Sequence, residues 1–422
     1  MPFLVLLLGF LLSAGLVLLL MPHVRRFALR MDLVDRPDGV RKLHREPVPC
    51  IGGLAIAGAF FVGAAVMTLA WIELPAHLVA MLTPPPILVV LGALLITAVG
   101  FADDILDLSF RRKFAAQLAA TGLAVAGGYR ITVFDAALGE GTLALAVSFA
   151  LTVVWMVGVM NAVNLIDGAD GLAAGVVAVA MIGLAAVHAA AGDIAALVLP
   201  VALVGALVGF LRFNWNPASV FMGDAGSLLL GYVMGAYALR GTAHADPVLA
   251  LVIPAVVMGV PVLDTLLSII RRRLTGRPLF AADRDHIHHR LIARTGSVRR
   301  SVSLLIGLGV FFAVGALAMV NAPREAAYGI FLGGTALVYL FLRLNGALPT
   351  LRDSAQLVRR RAALRRALRL KDLAATRVPA SVPVPASVPV PGVRAFESSG
   401  DGTPLSGRGV RIEVHSPAAA GE

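Results

Sequence analysis

Four short polar islands interrupt an otherwise apolar chain, each at the end of a long hydrophobic run, where an unpaired carboxylate is costly. The first holds Asp103, Asp104 and Asp107. Residues three and four apart share roughly one face of a helix end, so these carboxylates crowd. Like charges that close either raise one another's pKa or take up a cation. Hard oxygen donors with no Cys or His beside them point to Mg²⁺, with Mn²⁺ as the alternative, over zinc. A solvated acidic loop is the bland alternative. In the second island Asn161, Asn164, Asp167 and Asp170 recur every third residue. Steps of three fall short of a full turn by about 60°, so the four share a face only if the helix unwinds, with Gly168 and Gly171 the places to do so. A broken helix end bearing amides and carboxylates suits a metal and the hydroxyl and imide edges of a nucleoside. Interhelical polar contacts are the competing reading.

The third island runs from Phe213 to Ser227. Phe221 can stack on a planar base, Asn214 can hydrogen-bond its edge, and Asp224 can reach a metal-bound phosphate. An aromatic at a helix end also serves as an interfacial anchor. The fourth is a basic loop, 271–300, carrying Asp283, Asp285, His286, His288, His289 and Arg290. Zinc wants a fourth ligand and wider spacing. Imidazoles amid arginines better suit a polyanion such as a nucleotide-sugar diphosphate, with histidine able to move a proton.

The elements that must position these groups are membrane helices. Of 422 residues, 58% are hydrophobic and 14% charged, with mean hydropathy +0.86, which leaves too little polar surface for a soluble globule. Eleven runs approach the ~20 residues a crossing helix needs: 3–21, 51–71, 87–102, 114–128, 143–160, 172–191, 194–211, 227–239, 248–270, 303–320 and 327–344. The runs at 114–128 and 227–239 are short enough to borrow flanking residues. The expected fold is therefore an all-α polytopic bundle. Lys and Arg concentrate in alternate connections, around 25–45, 111–113 and 271–300, while the others hold only Arg130, Arg240 and Arg324. The positive-inside rule then sets the N-terminus outside and the C-terminus in the cytoplasm, as an odd span count requires. All four islands fall on the cytoplasmic side, although the Lys and Arg count used none of their acidic residues.

Residues 1–344 form the membrane domain in this reading. Residues 345–375 are basic and suit an amphipathic helix against the inner leaflet, and 376–422 form a disordered tail led by a tandem Ala-Ser-Val-Pro-Val-Pro. The first run has no basic n-region and no small-residue cleavage pattern before Pro22, so it is expected to be retained. Cys50 is the single cysteine, which excludes intramolecular disulfides and Cys-based zinc sites. Net charge +11 is attributed to topology and anionic lipid, since no nucleic-acid module is recognisable.

Taken together the islands resemble the polyprenyl-phosphate N-acetylhexosamine-1-phosphate transferase family. Its members start lipid-linked enterobacterial common antigen, O-antigen and teichoic acid synthesis, and the MurNAc-pentapeptide translocase is related. Asp-Asp-x-x-Asp-Leu, Asn-x-x-Asn-x-x-Asp-Gly-x-Asp-Gly-Leu, Phe-Met-Gly-Asp-x-Gly-Ser and His-x-His-His occur in family order, preceded by Pro47-Val-Pro49-Cys-Ile-Gly52-Gly53. The resemblance covers residues 1 to about 344. It implies transfer of HexNAc-1-phosphate from a UDP-sugar to undecaprenyl phosphate, with release of UMP and Mg²⁺ at a cytoplasmic site of the bacterial inner membrane.

By motif position Asp224, Asp167 and Asp104 are implied near the metal, and Asp103, supported by Asp104, as base or activator of the lipid phosphate. Asn161, Asn164, Asp167, Asp170, Asn214, Phe221 and Arg290 are implied as substrate-binding groups. His286, His288 and His289 are implied as diphosphate or transition-state contacts. Direct attack by the lipid phosphate is favoured over a covalent Asp intermediate. His286-Ile-His288-His289-Arg290-Leu291 is nearer the UDP-GlcNAc branch than the MurNAc-pentapeptide one. The sugar, the downstream polymer and the oligomeric state, a homodimer included, stay open. Two rival classes are weaker. A nucleotide-sugar or cation-coupled transporter would place its site near the bilayer midplane, and an intramembrane aspartyl protease would want two lone aspartates inside spans.

Overall fold

Apolar runs of this length find no hydrogen-bonding partner in lipid, so their backbone must satisfy itself, and helix is the outcome. The computed structural model describes residues 2–36, 46–71, 86–135, 139, 141–240, 246–274 and 286–348, all within one compact unit, Met1–Arg359. Asp283, Asp285, the tail 376–422 and the basic segment beyond residue 348 lie outside the described residues. Thirteen α-helices occur among those described: α1 (Pro2–Arg30), α2 (Gly53–Trp71), α3 (Pro86–Leu106), α4 (Phe110–Ala126), α5 (Thr142–Ile166), α6 (Leu172–Ala190), α7 (Val198–Asn214), α8 (Gly223–Ala238), α9 (Pro247–Val257), α10 (Gly259–Leu274), α11 (Ile287–Thr295), α12 (Val298–Val320) and α13 (Arg324–Leu344). A two-residue antiparallel pair, β1 (Val34–Asp35) and β2 (Val48–Pro49), sets Val34 opposite Pro49 and Asp35 opposite Val48.

Helices α1, α2, α3, α5, α6, α12 and α13 are each long and apolar enough to cross a membrane. The chain is thus all-helical and polytopic. The three helices α4, α7 and α8 are shorter, with 17, 17 and 16 residues. The run at 248–270, expected as one straight span, is instead two helices, α9 and α10, bent by 90°. Gly259 opens the second helix and Pro261 sits in its first turn. A proline there has no N–H to continue the ladder from α9, so the break falls where the chain can least hold a helix together.

α8 is the hub. Every residue from Ala225 to Ala238 is buried, and α2, α3, α5 and α6 pack around it. Its neighbours are tied by polar pins inside the apolar core: the Tyr232 hydroxyl donates to the Val89 carbonyl at 3.1 Å, and Trp155 Nε1 donates to the Gly235 carbonyl at 3.0 Å. Each pin satisfies a group that burial would otherwise penalise. The segment after β2 is zipped to the loop ahead of α8. Phe221 N–H donates to the Pro49 carbonyl at 2.8 Å, and Gly52 and Gly53 N–H donate to the carbonyls of Phe221 and Met222 at 2.9 and 2.8 Å. The Pro-Cys-Ile-Gly-Gly stretch therefore acts as a backbone splint for the third island.

Candidate active site

The last turn of α3 delivers Asp103 and Asp104 to the N-terminus of α8. Gly100 permits the approach, because a Cβ there would stand 2.5 Å from the Asp224 carbonyl oxygen. Asp104 accepts the N–H of Asp224 at 2.7 Å and that of Ala225 at 3.1 Å. It thus caps α8 from another helix, where unpaired N–H groups and the positive dipole end favour a carboxylate. Gly223 starts α8 at φ +68°, and a Cβ on it would lie 2.6 Å from both Asp104 carboxylate oxygens. Asp107 does not join this group. It leaves the helix at φ +48° and is exposed, so the expected crowding of three carboxylates is limited to two.

Lys113, in the first turn of α4, stands between Asp103 and Asp224. Its Nζ donates to Asp103 Oδ2 at 2.8 Å and to Asp224 Oδ2 at 3.1 Å. Asn164 Nδ2 donates to the other Asp224 oxygen and to Ser227 Oγ, each at 2.9 Å. α5 stops at Ile166 with Asp167 as its C-cap, and Gly171 at φ +77° precedes α6, so the second island unwinds where its glycines stand. No described residue donates a hydrogen bond to the Asp167 carboxylate. Burial, then the charges of Asp224, Asp104 and Asp170, raise its pKa well above the usual carboxylate range.

These groups face one cleft of about 710 Å³, to which every island contributes: Asp104; Asn164, Asp167 and Asp170; Asn214, Phe221 and Asp224; and His289. The remaining expected residues stand off it. Asp103, paired with Lys113, is not among the cleft's lining residues. Asn161 Nδ2 is turned to Gln117 Oε1 at 3.1 Å and its own Val157 carbonyl at 2.7 Å. Arg290 donates to the Leu348 carbonyl at 3.2 Å. His286 and His288 are buried behind His289, 4% and 2% exposed.

Asn214 lines the cleft, yet both ends of its amide are engaged. Oδ1 accepts the Gly171 N–H and Nδ2 donates to the Val220 carbonyl, each at 2.9 Å. It braces two loops where a base-edge contact was expected. Asp170 Oδ2 likewise accepts from Asn216 Nδ2 at 2.8 Å and the Ala218 N–H at 2.9 Å.

Residues 86–242 match the family model described as glycosyl transferase family 4. The chain is 36% identical over 316 residues, 74% of this chain and 85% of the other, to the "Probable undecaprenyl-phosphate N-acetylglucosaminyl 1-phosphate transferase" of Bacillus subtilis. It is 37% identical over 336 residues, 70% and 80% of the two chains, to the "Decaprenyl-phosphate N-acetylglucosaminephosphotransferase" of Mycolicibacterium smegmatis. It is 32% identical over 320 residues, 72% and 94%, to the "Phospho-N-acetylmuramoyl-pentapeptide-transferase" of Geobacillus kaustophilus. This chain belongs to glycosyl transferase family 4.

In this family 4 chain no three His, Cys, Asp or Glu residues among those described are close enough to enclose a metal by themselves. The donor set nonetheless fits Mg²⁺. That ion characteristically takes one or two carboxylates and completes its shell with water and substrate phosphate. Asp167 offers an unpartnered carboxylate beside Asp224 and Asp104, all three on the cleft wall. The histidines differ in character from that wall. Burial, with His289 and His286 nearby, lowers the His288 pKa to about 3, and both its ring nitrogens lack partners among the described residues. Its Nε2 lies 3.0 Å from where a Cβ on Gly168 would stand.

Two groups escaped the motif reading. Lys113 closes the Arg111-Arg112-Lys113 run that marks topology, so its charge already had an explanation. Asp264, inside the apolar 248–270 run, offered a real signal, since a lone ionisable group at that depth calls for a role.

Proposed function

We propose that this protein transfers N-acetylhexosamine 1-phosphate, with GlcNAc 1-phosphate the leading choice, from a UDP-sugar to undecaprenyl phosphate, releasing UMP. The supporting observation is the meeting of all four islands in one cleft, whose lining joins carboxylates, an aromatic at Phe221 and an imidazole at His289. The relatives named for GlcNAc 1-phosphate transfer to undecaprenyl or decaprenyl phosphate favour the same chemistry. Eleven spans, N-terminus outside and the cleft open to the cytoplasm of a bacterial inner membrane, complete the proposal. Arg111, Arg112 and Lys113 on α4 and Arg271, Arg272 and Arg273 on α10 supply its positive-inside flank.

In this mechanism an oxygen of the acceptor phosphate forms a bond to the β-phosphorus of the UDP-sugar. The bond from that phosphorus to the bridging oxygen breaks, and UMP leaves with the electron pair. Asp224, Asp167 and Asp104 would hold Mg²⁺, which supplies neutralisation of the diphosphate charge. Phe221 stacks on the uracil. Asp103 and Lys113 fix the acceptor side, with the ammonium balancing the carboxylates until a phosphate arrives. His289, on the same cleft, faces the diphosphate as a hydrogen-bond donor to developing charge.

Purified protein given UDP-GlcNAc, undecaprenyl phosphate and Mg²⁺ is expected to release UMP only when the lipid is present. No release with any UDP-HexNAc tried would overturn the proposal.

A further inference from the structure

His289 reaches the cleft from α11, a nine-residue helix whose N-cap, His286, makes no side-chain cap bond of its own. The acceptor comes from elsewhere. Asp264 on α10 is 2% exposed, and both of its oxygens are committed to this helix start. Oδ2 accepts the Nδ1–H of His286 at 2.7 Å, and Oδ1 accepts the Ile287 N–H at 2.7 Å. Ser268 Oγ stands 3.3 Å from the same Nδ1 and accepts from Arg271 at 3.1 Å. An ionised carboxylate can only accept, so the His286 proton rides on Nδ1 and Nε2 is left to face away from Asp264. From His286 the contact passes on through rings. His286 and His288 stack with centroids 5.7 Å apart and planes 12° apart, and His288 meets His289 at 4.1 Å.

We propose that Asp264 is a positioning residue for the transfer reaction. It fixes the His286 tautomer and pins the first turn of α11, and through the contacting rings it aims His289 into the cleft. The proposal rests on the reaction assigned above. The 90° break between α9 and α10 is what makes the arrangement available, because Asp264 follows that break and packs beneath α11 instead of continuing along the α9 axis.

Asp264→Asn is the discriminating substitution. The amide oxygen can still accept from Ile287, but its NH₂ meets the His286 Nδ1–H donor to donor and forces the other tautomer. A residue that only caps a helix would tolerate that change. With the full-length protein, Asp264→Asn is expected to lower kcat at least about ten-fold, with KM for the UDP-sugar within about three-fold of wild type, as for a group that binds no ground-state substrate. In a His286→Gln background the same substitution is expected to cost less than about two-fold more, since both act through one bond. A kcat within two-fold of wild type, or losses that simply multiply, would overturn the role. Nitrogen-15 spectra of the wild-type histidines keep the test independent of variant folding: the Nδ1–H form of His286 supports the proposal and the Nε2–H form overturns it. Wild-type protein without lipid-dependent UMP release counts against the reaction, whereas active wild type with an indifferent Asp264→Asn counts against the positioning role alone.

Discussion

At the residue scale, the site separates groups that keep their charge from groups that burial forbids to charge. Lys113 lies between Asp103 and Asp224 and offsets their charge, while His288, 2% exposed, is held neutral. The second case has a sign that can be measured. The folded-state pKa of His288 is about 3 against about 6.5 in an unfolded chain. Below pH ~6.5 the unfolded form takes a proton that the folded form refuses, so stability falls with acid down to the folded value, by up to about 1.4 kcal/mol per pH unit. Thermal melting of His288→Leu in detergent is expected to lose less midpoint between pH 6.5 and pH 5 than wild type does. Equal losses would show that His288 titrates normally in the folded protein.

Much of this scale was legible in advance, because carboxylates, amides and imidazoles at apolar run ends have few other reasons to be there. Asp104, Asn164, Asp167 and Asp224 could be read that way. The hydrogen-bond duties of Asn214 and Asn161 could not, since their partners depend on how loops close. Asp264 stayed hidden for the same reason: its partner, His286, is 22 positions away in sequence.

At the scale of elements, the lengths of the apolar runs located the long helices, but not α11, which lies within what reads as a basic loop at 271–300, and not the interruptions. The bend between α9 and α10 follows from Gly259 and Pro261, residues that a hydropathy average passes over. α1 runs through Pro22 to Arg30, well past the apolar run expected to end at residue 21. The C-terminal end of α13 shows a coupling that composition cannot reveal. Ala347 is 1% exposed, and Arg290 on α11 donates to the Leu348 carbonyl, so four residues past α13 brace the histidine helix. A chain cut after Leu348 is expected to keep specific activity within about two-fold of full length, since every cleft residue precedes the cut. Cutting after Leu344 is expected to lower it further by freeing α11. Equal activities for both would show that this brace is dispensable.

At the scale of the whole molecule, one buried helix organises the catalytic geometry. α8 brings Asp224 to the cleft, receives the Asp104 cap and the Asn164 contact at its first turns, and is gripped along its length by α2, α3 and α5. The N-terminal hairpin and the segment after β2 reach the same place by backbone bonds to Phe221 and Met222. Carboxylates from three separate helix ends thereby face one space, which no single motif could accomplish. If they serve one divalent cation beside the nucleotide diphosphate, the ion must feel the loss of any of them. Mn²⁺ bound to the purified protein with UDP-GlcNAc, followed by electron paramagnetic resonance, reads this directly. Asp224→Asn and Asp167→Asn are each expected to weaken Mn²⁺ binding at least about ten-fold, the loss of one charged ligand. Mn²⁺ affinity unchanged in both variants would contradict a shared carboxylate site in this cleft.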